Sequence, residues 1–295
     1  MMNLWQLLPW QAWVLISGVL TALAQVLGKS QVHKISTAQM GVMRDVSGIL
    51  VAVPIWLMLG TGYWGWASVL AMGNGAMVAV GTLLYYKAVR ASLSGSTVFG
   101  YLISQVMIVA SSAVVFSEWV YFNPLTRQGL GNLLALLFTI LAMLVYVKSL
   151  RLGRKWTFIL IASAMINVAG NLIAKYFVSG QMRVWDYFFA EQMGFAIAGV
   201  IILLMRGQGL MVGWKNARVG LLQGMVAILG PIIYLNMLAL HPLSLASMVR
   251  RMATIVVTSA SGLWFYKERE KMGWRASVSL GMAVLAFILV MWVNR

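Results

Sequence analysis

The sequence predicts an all-α membrane protein with ten transmembrane helices arranged as two inverted five-helix repeats, and three observations carry the prediction. Of 295 residues, 61% are hydrophobic and 9% charged, with a mean hydropathy of +0.87, well outside the composition of soluble domains. The apolar residues fall into runs of about 20, the length that crosses a hydrocarbon core as a helix. The few polar residues inside those runs recur in the same order in the two halves.

Runs bounded by Gly, Pro, Asn and basic residues place the first five helices at 10–29, 37–58, 67–86, 94–116 and 129–147. The second five follow at 156–176, 186–205, 217–239, 243–264 and 274–293. Backbone groups in hydrocarbon have no water to bond, which leaves helices or a closed barrel, and these runs lack the alternation of barrel strands. The N-terminus has neither a basic segment nor a small-residue cleavage site, so the first span is expected to be retained.

The most charged linker, 148–155, falls at mid-chain and divides it into 1–150 and 151–295. A shift of 146 pairs Trp10 with Trp156, Ser17 with Ser163, Thr21 with Asn167, Gln25 with Asn171 and Lys29 with Lys175. It also pairs Asp45 with Glu191 and Gly48 with Gly194. A shift of 149 aligns Asn74, Gly75, Gly81 and Tyr85 with Gln223, Gly224, Gly230 and Tyr234, and 150 aligns Glu118 with Glu268. Five helices per copy is an odd number, so the second copy enters the membrane with the opposite orientation.

Lys and Arg outnumber Asp and Glu by 22 to 6. The bases sit in short gaps between apolar runs, where headgroups meet them, and no basic segment is long enough for a nucleic-acid domain. Fourteen lie in the loops after the odd-numbered helices, from Lys34 to Arg275, against three (Arg127, Arg183 and Arg295) elsewhere outside the spans. By the positive-inside rule both termini are then expected outside the cytoplasm.

Setting aside Arg218, Arg275 and Asp186 in the first turn of their runs, five bases and two acids remain inside. Helix one carries Ser17, Thr21, Gln25 and Lys29 four apart, and helix six carries Ser163, Asn167, Asn171 and Lys175 likewise, each a single polar stripe. Such a stripe faces the bundle interior, either lining a wet cavity or bonding neighbouring helices. Arg44 and Asp45 lie in helix two, and Glu191 and Gln192 in helix seven. Lys29 to Asp45 and Lys175 to Glu191 are both sixteen residues apart, which suggests a Lys–carboxylate pair in each half, serving either to hold helices together or to carry a coupling ion. Arg250 and Arg251 in helix nine point about 100° apart, so one is expected to face the cavity while the other snorkels or pairs elsewhere. Tyr85 and Tyr234, at matched positions, line a pathway or anchor at the interface. Glu118 and Glu268 end helices four and nine and read as solvated carboxylates.

Absences narrow the chemistry further. There is no cysteine, and His33 and His241 have no ligand-spaced partners, so no metal site and no cofactor are expected. No phosphate-binding glycine loop and no nucleophile–base spacing occurs, so the chain does not read as an enzyme or an ATP-driven pump.

Ten spans in two five-helix halves, Lys29 near the end of helix one, Arg44 in helix two, and the run 88–118 ending at a glutamate, echoed by 238–268, resemble the EamA-type drug/metabolite transporter superfamily. The resemblance implies an alternating-access carrier in the bacterial inner membrane with a cavity between the repeats. It also implies cytoplasmic termini, opposite to the charge count. The expected function is secondary transport of a small anionic or zwitterionic metabolite, such as an amino acid or a nucleotide-sugar-like solute. Expected substrate contacts are Gln25, Lys29, Arg44, Tyr85, Asn171, Lys175, Tyr234, Arg250 and Arg251, with Asp45 and Glu191 as coupling or ion-pair groups. A flippase for lipid phosphates and a non-transporting scaffold or sensor are the alternatives. The partners expected are the solute and membrane lipids, with a monomer sufficient and a dimer allowed.

Overall fold

Every apolar run coincides with a helix, and the helix ends fall within three residues of the sequence boundaries. In this computed structural model, which describes residues 7–62, 64–90, 92–147, 154–209, 213–266 and 274–294, the first half comprises α1 (Trp10–Gln31), α2 (Thr37–Leu59), α3 (Trp66–Val89), α4 (Leu93–Val115) and α5 (Arg127–Val147). The second comprises α6 (Arg154–Tyr176), α7 (Val184–Met205), α8 (Trp214–Leu240), α9 (Leu243–Trp264) and α10 (Trp274–Val293). A 310 turn (Glu118–Phe122) follows α4, and a π-helical turn (Phe177–Gln181) follows α6. Starts are set by local chemistry where a cap is available. Ser36 and Gln39 exchange hydrogen bonds in a capping box at α2, and Ser92 accepts from Gly95 N–H at α4.

Eight helices, α1 to α8, are long and apolar enough to cross a membrane. Among the described residues α10 has a shorter apolar stretch, Ser277–Val293, and α9 carries Arg250 and Arg251. The chain is a multi-pass helical membrane protein. Large apolar side chains such as Leu57, Leu137, Phe158 and Leu204 stand on the outside, where lipid is their solvent.

The two halves interlock. Helix α1 packs on α8 and α9, and α6 packs on α3 and α4. Helix α2 packs on α7 and α8, while α7 packs on α2 and α3. The pairs α2–α7, α4–α9 and α5–α10 join helices that hold the same rank in the order of the two halves. Each of these neighbours remains a neighbour when first-half and second-half helices exchange names. The boundary expected near 150 lies outside the described residues.

The same exchange holds at the level of atoms. Ser17 Oγ donates to the Gly230 carbonyl at 2.7 Å, and Ser163 Oγ donates to the Gly81 carbonyl at 2.7 Å. Gly75 and Gly194 close the α3–α7 crossing, where a Cβ would stand 2.0 Å from the Glu191 carbonyl oxygen and 1.9 Å from that of Met72. Gly224 does the same for α8 against α2, where a Cβ would meet Ser47 Oγ at 1.6 Å and the Arg44 carbonyl at 2.4 Å. Glycine at these positions lets backbones touch, the usual device for packing helices where the hydrophobic effect offers nothing between them.

Candidate functional site

A cavity of about 220 Å³ opens at the centre of the bundle, lined from α1, α2, α3, α4, α6, α7, α8 and α9. Both polar stripes reach it, through Thr21 and Gln25 on α1 and through Ser163, Asn167 and Asn171 on α6. Among the described residues the charged groups on its wall are Arg44, Asp45, Glu191 and Arg250. The aromatic groups are Tyr85, Tyr86, Tyr101, Phe195 and Tyr234.

One end is built around Gln25. Its carbonyl oxygen accepts from Tyr85 Oη at 2.9 Å, its amide nitrogen bonds Tyr101 Oη, and Tyr85 Oη lies 2.6 Å from Thr97 Oγ1. Tyr85 and Tyr101 stack with planes 9° apart. Arg251, buried behind this wall, lies against the Tyr101 ring at 5.4 Å, and its Nη1 is buried without a hydrogen-bond partner. Arg250, one position earlier on α9, reaches the cavity itself. Its guanidinium sits 4.3 Å over the Tyr234 ring and donates to Thr21 Oγ1 at 3.2 Å. The side chains of the Arg–Arg pair therefore diverge as helical geometry requires. Among the described residues Arg250 makes no salt bridge.

The opposite wall holds the acids. Asp45 accepts from Arg44 Nε at 2.7 Å and from Arg44 Nη2. The same guanidinium faces Phe195 at 5.5 Å and Tyr86 at 6.0 Å. Glu191 accepts from Tyr187 Oη at 3.0 Å and from Asn74 Nδ2 at 3.1 Å, both on Oε1. Gln223 Nε2 donates to Tyr86 Oη at 2.7 Å. Pro231 in α8 has no N–H to give the Ala227 carbonyl one turn earlier, and both residues line the cavity.

The expected Lys–carboxylate pairs do not form. Lys29 Nζ donates to the Val89 carbonyl at 2.7 Å and the Arg90 carbonyl at 3.4 Å, the C-terminal end of α3. Lys175 Nζ donates to the Leu238 and His241 carbonyls at 2.7 and 2.9 Å, the C-terminal end of α8. The physical reason is that the last carbonyls of a helix have no intrahelical donor and carry its negative dipole end. An ammonium at the end of α1 or α6 meets those carbonyls sooner than it meets a carboxylate on another helix.

Lys29, Lys175 and Arg251 thus stand apart from the cavity wall. Gln25, Arg44, Asp45, Tyr85, Asn171, Glu191, Tyr234 and Arg250 line it together.

Glu118 departs from the solvated carboxylate expected of it. It is buried, and its two oxygens accept the Leu243 and Ser244 N–H groups at 2.6 and 2.8 Å, capping α9 from the 310 turn. Glu268 lies outside the described residues. Beside Lys175, His241 stacks on Trp10 at 4.9 Å, and burial together with the Lys175 ammonium holds its imidazole pKa below the usual 6.5.

Two residues of the site escaped the sequence reading. Tyr187 stands four residues before Glu191 on one helical face, a spacing that could have signalled the bond. Tyr101 carries no such mark within its apolar run.

No family model matches the chain, and no curated protein does. A solved structure, described only as "Crystal structure of protein", aligns over 97% of this chain and 99% of its own length with a TM-score of 0.65 at 12% identity. At that identity the likeness concerns the fold alone: the ten-helix arrangement is one already seen in a crystal.

Proposed function

We propose that the chain is a secondary transporter of the drug/metabolite type, working by alternating access on a small zwitterionic or anionic metabolite. In this reading ten spans form two inverted five-helix units, and the interchangeable helix contacts and the twin Ser–carbonyl bonds support it. The cavity between the units is the binding site. The observation that carries the reading is Arg250, a guanidinium held inside the membrane at the cavity wall without a carboxylate partner among the described residues. A buried cation without a counter-charge is costly, and a carboxylate or phosphate on the solute supplies it bidentately.

The geometry also corrects the charge inventory behind the substrate class. The sequence offers five interior bases against two acids. Two of the bases are consumed by helix ends and a third lies behind an aromatic wall, which leaves Arg44 and Arg250 against Asp45 and Glu191. A balanced wall suits a zwitterion better than a polyanion. In this reading the protein resides in the bacterial inner membrane with both termini outside the cytoplasm.

The test is a thermal-shift screen of the purified chain against a metabolite library, since a ligand of the folded state raises its melting temperature. Stabilisation by a zwitterion or small anion, lost in R250Q, is the expected result. Stabilisation by lipid phosphates alone would replace the carrier with a flippase, and no stabilisation by any solute would remove the transport reading.

A further inference from the structure

Two backbone carbonyls on the cavity wall are treated in opposite ways. In α3 the Val78 carbonyl takes a second donor, Thr82 Oγ1 at 2.9 Å, besides the helical N–H one turn on. The shift of 149 that pairs Tyr85 with Tyr234 also pairs Val78 with Ala227 and Thr82 with Pro231. All four of these residues, Val78, Thr82, Ala227 and Pro231, line the cavity. Pro231 brings neither a hydroxyl nor an N–H, and its ring crowds the carbonyl one turn back, that of Ala227. The Gly230 and Ile232 carbonyls on either side of Pro231 have side-chain donors, Ser17 Oγ and Asn236 Nδ2, whereas among the described residues no side chain donates to Ala227.

Ala227, Pro231 and Tyr234 follow the i, i+4, i+7 spacing of one helical face, so the hydroxyl of Tyr234 belongs to the same strip of wall. That hydroxyl is buried without a hydrogen-bond partner, and the Arg250 guanidinium lies over the Tyr234 ring at 4.3 Å. The strip thus carries a carbonyl with no donor at one end and a hydroxyl and a guanidinium at the other. Polar groups left empty inside a membrane protein are costly. A solute with an N–H donor beside its anionic group fills all three.

We propose that the carbonyl freed by Pro231 is the acceptor that tells a zwitterion from a plain acid: the Ala227 carbonyl receives the ammonium of the solute, while Arg250 and Tyr234 Oη donate to its carboxylate. The inference rests on the transport reading and narrows its substrate class to solutes that carry both groups within reach of one helical face. It also makes Pro231 a specificity-determining residue, although proline has no polar atom of its own to offer a solute. The first half has no matching acceptor, because Thr82 supplies the Val78 carbonyl with two donors. Recognition of the cationic pole therefore comes from the second half alone. Any residue at 231 that restores the N–H competes with the ammonium for the same lone pairs.

The test is a thermal-shift titration of the purified chain with matched pairs: L-alanine with propionate, L-valine with isovalerate, L-aspartate with succinate, and L-glutamate with glutarate. The members of each pair differ only in the ammonium. The expected result is a pair whose amino member stabilises the wild-type chain at a concentration about tenfold or more below that of its partner, the worth of one charge-assisted bond. In P231A, and in P231T, which copies Thr82, that ratio falls toward one because the amino member alone weakens. In Y234F both members weaken alike. A ratio that survives in both Pro231 variants would assign the ammonium to Asp45 and Glu191 and overturn the proposal. Equal binding of the two members by the wild type, equal weakening of both by the Pro231 variants, or unchanged binding in Y234F would overturn it as well. Two substitutions at 231 keep the test decisive if one of them does not fold. If none of these pairs binds while other solutes of the metabolite library do, the proposal falls and transport stands; if no solute binds, both fall.

Discussion

Asp45 on α2 and Glu191 on α7, which a sequence shift of 146 residues pairs, live in different electrostatic worlds. The residue before Asp45 is Arg44, whose side chain folds back to it; the residue before Glu191 is Ala190. One carboxylate is neutralised within its own helix turn, and the other depends on whatever cation the cavity provides. A fold whose helices can exchange names thus carries a charge pattern that cannot. The frame of the bundle comes in pairs, while the chemistry sits on one side of it.

The largest expected effect comes from breaking the paired side of that contrast. R44Q strands Asp45 without its guanidinium, and we expect a loss of about 3–5 kcal/mol of stability by chemical unfolding in mixed micelles. R44Q/D45N should regain most of it, because no unpaired charge remains.

The lysines test the frame. K29M and K175M each remove charge-assisted bonds to the C-terminal end of another helix, α3 or α8, and each should cost about 1.5–3 kcal/mol. Comparable losses in the two variants are expected if the ends they cap are equivalent. S17A and S163A probe the twin hydroxyl–carbonyl bonds and should cost about 0.5–1.5 kcal/mol apiece, again alike.

E191Q should be nearly silent in the same measurement, within about 0.5 kcal/mol, because a glutamine Oε1 still accepts from the Tyr187 phenol and the Asn74 amide. A loss as large as that of R44Q would erase the contrast.

The smallest effect concerns His241. Its imidazole pKa is depressed in the folded chain, so its stabilising contribution is present above the ordinary 6.5 and is lost as pH falls through and below that value. H241Q should flatten that part of the stability profile.

The helices were legible because apolar runs of spanning length, bounded by Trp, Gly and basic residues, admit one secondary structure in a bilayer. Gln25, Arg44, Asn171, Tyr234 and Arg250 were legible as interior groups for the converse reason: a polar residue inside such a run faces protein or water. What the sequence hid was who meets whom. The sixteen-residue spacing of Lys29 and Asp45 places both near α1 and α2 but says nothing of the bare carbonyls of α3, which α1's lysine reaches instead. Arg44 and Asp45 are adjacent and point apart as Cβ vectors, so their bond depends on the length and curl of the arginine. Glu118 looked solvated because it follows an apolar helix, and only the folded turn brings it to the N-terminus of α9.

The glycine crossings have a mechanical consequence. Where α3 meets α7 at Gly75 and Gly194, and α2 meets α8 at Gly224, the absence of a Cβ sets how near two backbones stand. Each crossing joins a first-half helix to a second-half helix, so a side chain added at any of these glycines would wedge the two halves apart where their backbones now touch.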